Sequence, residues 1–300
     1  MKLFALDMDG TTLSSKNEIS PENIQAIKKA QSLGHKVMVL SGRAPESINK
    51  LLDKYDIHLP IGGSNGTAVF ADGKLLELTS LTDSQDRIIA EEAEKEVVPF
   101  KIYTNKGIYF HSEWSVRLEK VLSSGAVPAE HYEDENYEKM IRIPNTSEEA
   151  LIFDDIRTLL MDEELTIQKF FILVLDPIQR NRILTSMKSI EGVYVTTSSP
   201  FNIEIMNING NKGNGLKVMA KYLNIPLEDT VAIGDQYNDI PMFKASGFSI
   251  AMGNAQEEIK RMSDYITLTN DENGVAHAID YVLSSNYLTS VSNKIKDPIF

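Results

Sequence analysis

One recurring pattern restricts this chain more than any other. Short apolar runs stop abruptly in acidic or glycine-rich clusters, and amphipathic helical patterns lie between them. Lys2–Leu6 runs into DMDGTT, Lys36–Leu40 into SGR, and Ile61 into GGSNG. Later, Thr230–Ile233 runs into GDQYND, Phe248–Ala251 into MGN, and Tyr265–Leu268 into TND. Helical spacing fills Pro21–Leu33, Pro45–Tyr55, Gly213–Leu223, Asp239–Ala245 and Ala255–Met262. Buried strands alternating with helices predict an α/β fold on a doubly wound, Rossmann-like parallel sheet. Ligands of such sheets gather at the carboxyl ends of the strands, and the acidic and glycine-rich clusters fall at those ends.

The middle of the chain has a different rhythm. An acidic helix is expected over about Thr82–Val97, then strands Phe100–Thr104 and Gly107–His111 and a helix near Trp114–Ser123. An acidic loop (EHYEDENYE) leads to a strand near Lys139–Ile143 and a helix near Ser147–Leu160. A strand Lys169–Val174, a helix Gln179–Ser189 and strands Val193–Thr197 and Phe201–Met206 complete it. This predicts an α+β domain of residues 83–192 inserted into a core made of 1–82 and 193–300. The polar tail Ser284–Phe300 reads as a loose end.

Composition narrows the function. The 300 residues include no cysteine, so disulfides and thiolate metal sites are excluded, and a cytoplasmic location is expected. The opening MKLFALDMDG is too short an apolar run for a signal peptide, and no stretch reaches the roughly 20 apolar residues of a membrane helix. A formal net charge of −13 argues against nucleic acid as a partner. It also means that an anionic ligand would need a local cation, from a metal or from well-placed lysine and backbone N–H groups. The five histidines lie far apart in sequence and carry no metal-binding spacing.

Four clusters carry chemistry. Asp7 and Asp9 are two apart, so in extended chain both carboxylates face one spot beyond the first strand. Such a pair repels itself unless a divalent cation joins it; a solvated Asp-Gly turn is the plainer alternative. Gly10 permits a sharp turn, and Thr11 and Thr12 add hydroxyls and N–H groups. Ser41, Gly42 and Arg43 end the second strand just before Pro45, a first-turn residue, so a hydroxyl and free N–H groups meet at a helix start. A plain Ser cap fits those residues as well. Lys212 opens a helix, where a cation opposes the helix dipole unless an anion lies between them. A solvated loop lysine is the alternative there. Asp235, Asn238 and Asp239 crowd one turn after the strand VAIG, which makes Asp235 a candidate metal ligand.

Taken in order, Asp-x-Asp-Gly-Thr, a strand-end Ser, a Lys opening a helix and Gly-Asp-x-x-Asn-Asp resemble the haloacid-dehalogenase superfamily. The insertion after SNG (residues 64–66) resembles the capped, Cof-type (class IIB) branch. The resemblance implies a Mg²⁺-dependent phosphohydrolase of small phosphate esters, sugar phosphates or related metabolites, working through an aspartyl-phosphate. Asp7 would be the nucleophile and Asp9 the acid and base. Asp7, Asp9 (through its backbone carbonyl) and Asp235 would bind Mg²⁺. Met8, Thr11, Ser41, Gly42, Lys212 and Asn238 would hold the phosphoryl group, with Asp239 and Arg43 in support. The inserted cap would close over the site and select the ester. A phosphomutase or phosphotransferase acting on sugar phosphates, or a non-catalytic phosphate-ester sensor, is the alternative.

Overall fold

A computed structural model describes residues 1–133, 137–141 and 150–284. It divides into two compact units, Met1–Leu76 with the described part of Lys212–Phe300, and Glu77–Asn211.

The chain begins with β1 (Leu3–Leu6), α1 (Pro21–Ser32), β2 (Lys36–Leu40), α2 (Pro45–Asp53), β3 (Ile61–Gly63), β4 (Ala68–Ala71) and β5 (Lys74–Leu78). Then come α3 (Asp83–Glu96), β6 (Phe100–Thr104), β7 (Gly107–His111), α4 (Trp114–Leu122), α5 (Tyr137–Ile141), β8 (Ala150–Phe153) and α6 (Ile156–Leu159). β9 (Ile167–Leu173), α7 (Pro177–Lys188), β10 (Val193–Thr196) and β11 (Asn202–Asn207) follow. The chain then returns through α8 (Lys212–Tyr222), β12 (Thr230–Gly234), α9 (Ile240–Ala245), β13 (Phe248–Ala251), α10 (Glu257–Arg261), β14 (Tyr265–Ile266) and α11 (Gly274–Leu283).

In the first unit the strands stand in the order β14-β13-β12-β1-β2-β3-β4-β5, and those from β14 to β3 are parallel. β1 is central: the chain builds outward on one side through β2 and β3, and later on the other through β12. Strand order therefore reverses beside β1, which is where open α/β sheets form ligand crevices. Alternation along β1 feeds two cores. Leu3 and Ala5 join Leu216, Met219, Met242 and Ile259 on one face, while Phe4 and Leu6 join Ile27, Val275 and Ile279 on the other. Both faces are covered, so the strand has no polar position and reads as a continuous apolar run. Each of these Leu, Ile, Val, Met and Phe side chains contributes roughly 1.5–3 kcal/mol by leaving water.

The second unit is an antiparallel sheet, β10-β11-β9-β6-β7-β8, whose one parallel pair is β7 with β8. Ile102, Phe170, Ile172, Ile203 and Ile205 pack from one face with Ile89 and Ala93 of α3 and Ile183 and Met187 of α7. α3 starts on a reciprocal capping box between Thr82 and Gln85.

Several expectations need correction here. β11 pairs with β9, and β10 with β11, and not with the first sheet, so the insertion ends at Asn211, not at 192, and it begins at Glu77. Ile203 and Ile205 join the core of the second unit, while Asn202 and Glu204, at the alternate positions, are buried as well. The segment read as a strand from 139 is helical through Ile141, and 142 and 143 lie outside the described residues. The expected helix over 147–160 is instead β8 followed by the short α6; Ala150–Phe153 supplies four ladder pairs to β7. The expectation for the tail beyond 284 also lies outside the described residues.

Candidate active site

Where β1 ends, the N–H of Asp7 donates to Ile233 O at 2.9 Å, which fixes Asp7 beside β12. The chain then turns at once. Thr11 N and Leu13 N donate to Met8 O at 3.2 and 2.8 Å, and Thr12 Oγ1 donates to Asp7 O at 2.5 Å. Gly10 sits at φ +79°, and a Cβ there would run into the carboxylate of Asp235. A glycine is required on both counts. The Met8 side chain is buried in the core, so only its backbone faces this turn.

β12 ends at Gly234, where a Cβ would strike the carboxyl of Asp239. That closeness lets Asp239 Oδ2 accept from the N–H groups of Asp235 and Gln236 at 2.8 and 2.9 Å. Its other oxygen, Oδ1, accepts from Lys212 Nζ at 2.5 Å, and the same ammonium donates to Asp7 Oδ1 at 2.5 Å. Lys212 is the first residue of α8 and fully buried. Two carboxylates at its head answer the unfavourable placement of a cation at a helix start. Thr11 Oγ1 donates to Asp235 Oδ1 at 2.8 Å.

Carboxylate oxygens of Asp7, Asp235 and Asp239 all lie within 4.8 Å of one another, and all three residues are buried. Burial pushes the Asp7 carboxyl up to about 7; the Lys212 ammonium opposes this, while Asp239 and Asp9 add to it. Burial, reinforced by Asp7 and Asp239, drives Asp235 well above the usual carboxylate range. Burial disfavours the Lys212 ammonium, but Asp239 and Asp7 outweigh it and hold the lysine protonated. Three acids against one ammonium leave the pocket short of positive charge. An all-oxygen donor set with that deficit suits a hard divalent cation.

The remaining expected residues divide. Ser41 is buried at the end of β2, and its Oγ accepts from Arg43 N at 3.2 Å. Gly42 lies in that same turn. Asn238 is buried beside Asp239, with Nδ2 donating to Asn65 Oδ1 at 3.1 Å. Asp9 does not share a spot with Asp7. Its carboxylate is half exposed and clasped by Arg43, and the third acid of the cluster is Asp239. The two-residue alternation that would align Asp7 and Asp9 holds only in extended chain, and β1 stops at Leu6 before a tight turn.

Sequence reasoning missed a set of asparagines that hold the turn after β1. Asn254 Nδ2 donates to Gly10 O at 2.8 Å, Asn270 Nδ2 donates to Leu13 O at 2.9 Å, and Asn270 N donates to Asn254 Oδ1 at 2.9 Å. Their positions in MGN and TND, at the ends of apolar runs, were visible; their reach back to residues 10–13 was not. Asn65 was also missed.

A family model described as haloacid dehalogenase-like hydrolase matches residues 4–279. The phosphatase YwpJ of Bacillus subtilis is 31% identical over 287 residues, covering 94% of this chain and 100% of its own length. The 5-amino-6-(5-phospho-D-ribitylamino)uracil phosphatase YwtE of the same organism is 31% identical over 290 residues, covering 96% and 100%. A solved haloacid dehalogenase-like hydrolase from B. subtilis aligns with a TM-score of 0.81 at 30% identity, over 94% of this chain and 100% of the other. A HAD subclass IIB sugar phosphatase shares the fold, with a TM-score of 0.74 at 20% identity over 94% and 98%. No described helix is long and apolar enough to cross a membrane.

Proposed function

This chain belongs to the haloacid dehalogenase-like hydrolase family and is a phosphatase of small phosphate substrates, and from that premise we propose that it works through an aspartyl-phosphate on Asp7 and requires Mg²⁺. The observation that carries this reading is the buried ammonium of Lys212 set between Asp7 and Asp239, with Asp235 in the same cluster.

In the proposed reaction an oxygen of Asp7 attacks phosphorus, and the bond from phosphorus to the ester oxygen breaks. The leaving alkoxide takes a proton from Asp9, two residues beyond the nucleophile on the same turn. Water then gives a proton to Asp9 and attacks phosphorus, and the acyl-phosphate bond breaks to restore Asp7 and release inorganic phosphate. Lys212, Ser41 Oγ, Thr11 and the N–H groups of Met8 and Gly42 hold phosphoryl oxygens as charge moves between them. Asp7, Asp235 and the backbone carbonyl of Asp9 are the residues assigned to the cation. When bound, it offsets the negative charge shared by nucleophile and phosphate.

For the ester itself, the naming of YwtE as a phosphatase of a phosphoribitylamino compound supports a primary phosphate on a hydroxyl-rich chain, a sugar phosphate or a relative. The Glu77–Asn211 unit carries none of the four chemical clusters, which supports a role in choosing the ester. Phosphate release from a panel of sugar, polyol and nucleotide phosphates tests the reading, with Mg²⁺ and with excess chelator. Hydrolysis that persists undiminished in chelator would overturn the metal requirement.

A further inference from the structure

The turn Ser64–Gly66 is built at a conformational cost. Ser64, Asn65 and Gly66 all have positive φ, at 49°, 64° and 82°. A left-handed residue other than glycine is disfavoured by roughly 1–2 kcal/mol, with asparagine among the more tolerant. Two bonds to the second strand's exit loop hold the turn in place: Ser64 N donates to Arg43 O at 2.7 Å, and Asn65 N donates to Ser41 O at 2.8 Å. Helix α8, which begins with Lys212, presses on it closely. A Cβ at Gly215 would come within 3.1 Å of Gly66 Cα and 2.8 Å of Leu40. The turn thus touches the Ser41 loop and the lysine helix. Through the bond from Asn238 Nδ2 to Asn65 Oδ1, it also touches the acidic turn.

Asn238 uses only half of its amide in that bond. Its Oδ1 is enclosed and has no hydrogen-bond partner among the described residues. An enclosed acceptor without a donor is costly and calls for an explanation. The bond to Asn65 takes an N–H of this amide and fixes the group with its oxygen facing elsewhere. Of the species that the proposed reaction brings into the pocket, a phosphoryl group offers acceptors only, whereas a hydrated divalent cation offers O–H donors.

We infer that Asn65 is a positioning residue for metal binding: it holds Asn238 so that Oδ1 accepts from a water of the cation's hydration shell. The inference rests on the metal requirement proposed above. Groups that orient a metal's surroundings without ligating it typically govern about 10–100-fold in affinity.

Mn²⁺ binding to the full chain, followed by loss of the free-ion EPR signal, tests this without turnover. The key variant is Asn65→Gly, which keeps the left-handed backbone and the N–H to Ser41 while deleting the carboxamide. It should bind Mn²⁺ about tenfold more weakly while still folding, with its metal-free stability read alongside because Asn238 Nδ2 loses its acceptor. Asn238→Ala, outside the strained turn, should weaken binding to a similar degree. Adding Asn65→Gly to Asn238→Ala should cost less than a further twofold in Mn²⁺ affinity, because on this inference Asn65 acts on the cation through Asn238. Unchanged affinity in folded Asn65→Gly, or independent, multiplying losses in the double variant, would overturn the inference. Failure of the unmodified protein to bind Mn²⁺ would instead overturn the metal requirement itself.

Discussion

Arg43 clasps both carboxylate oxygens of Asp9, with Nε 2.8 Å from Oδ2 and Nη2 2.6 Å from Oδ1. The pair spans the turns after β1 and β2, so it fixes the direction of a side chain that is otherwise half exposed. In the proposed mechanism Asp9 exchanges a proton with the ester oxygen, and its aim matters more than the pair's contribution to stability. An exposed pair of this kind contributes at most about 1 kcal/mol. Arg43→Met should therefore lower kcat on an alkyl phosphate by roughly tenfold, with a smaller loss on nitrophenyl phosphate, whose leaving group needs little protonation. Equal losses on both substrates would separate Arg43 from the acid.

Lys212 is the one cation in contact with Asp7 and Asp239 among the bonds described. Lys212→Met should reduce kcat/KM by about 100–1,000-fold on every ester, since each presents the same phosphoryl group. It should also destabilise the metal-free protein by roughly 3–5 kcal/mol, because two buried acids lose their partner. Denaturant midpoints with and without Mg²⁺ would check the second part, and the cation should restore a portion of the loss.

Gly10→Ala places a methyl group against the carboxylate of Asp235 at a backbone angle of φ +79°. The turn carrying Asp7 and Asp9 would have to shift, and a displacement near 1 Å can cost on the order of 100-fold in rate. Gly34→Ala also meets a positive φ but has open space around it, so it should leave kcat unchanged while costing some stability. Similar kcat losses for both would show that backbone strain, and not the crowding at Asp235, controls activity.

Much of this site was legible in the sequence because its parts are strand ends, and strand ends are marked by apolar runs stopping at Gly, Asp or Ser. Asp7, Asp235 and Ser41 were found in that way, Lys212 as a cation opening a helix, and the doubly wound parallel sheet followed from the same runs. What escaped depends on the third dimension. That Asp239 and not Asp9 completes the acid cluster follows from how sharply the chain turns at Gly10. Asn65, Asn254 and Asn270 act through amides that reach other segments, and no local pattern shows reach. The end of the insertion was misplaced because Val193–Thr196 and Asn202–Asn207 look alike whichever sheet they join; only the pairing with β9 decides.

Asp86, in the first turns of α3, is buried with Oδ1 partnerless among the described residues. Burial, with Asp83 adding to it, pushes its carboxyl up to about 7. A raised carboxyl favours folding while protonated, so this contribution is complete below the unfolded value near 3.8 and is lost as pH rises through about 7. Asp86→Asn should then stabilise the protein at about pH 8, by no more than about 4 kcal/mol, and change little near pH 4. Urea midpoints at the two pH values decide it; an equal change at both would mean that the ionisation of Asp86 is not responsible.

The central claim is that Asp7 carries the phosphoryl group. Acid-quenched single turnover of a good ester, with Mg²⁺ present, should yield a peptide containing Asp7 that bears one phosphoryl group, stable in acid and released by hydroxylamine as an acyl phosphate must be. Asp9→Asn should increase its amount by slowing the water attack, and Asp7→Asn should abolish it together with turnover. Turnover with no phosphorylated peptide under conditions that accumulate it in Asp9→Asn, or a phosphoryl group found on another residue, would contradict the account.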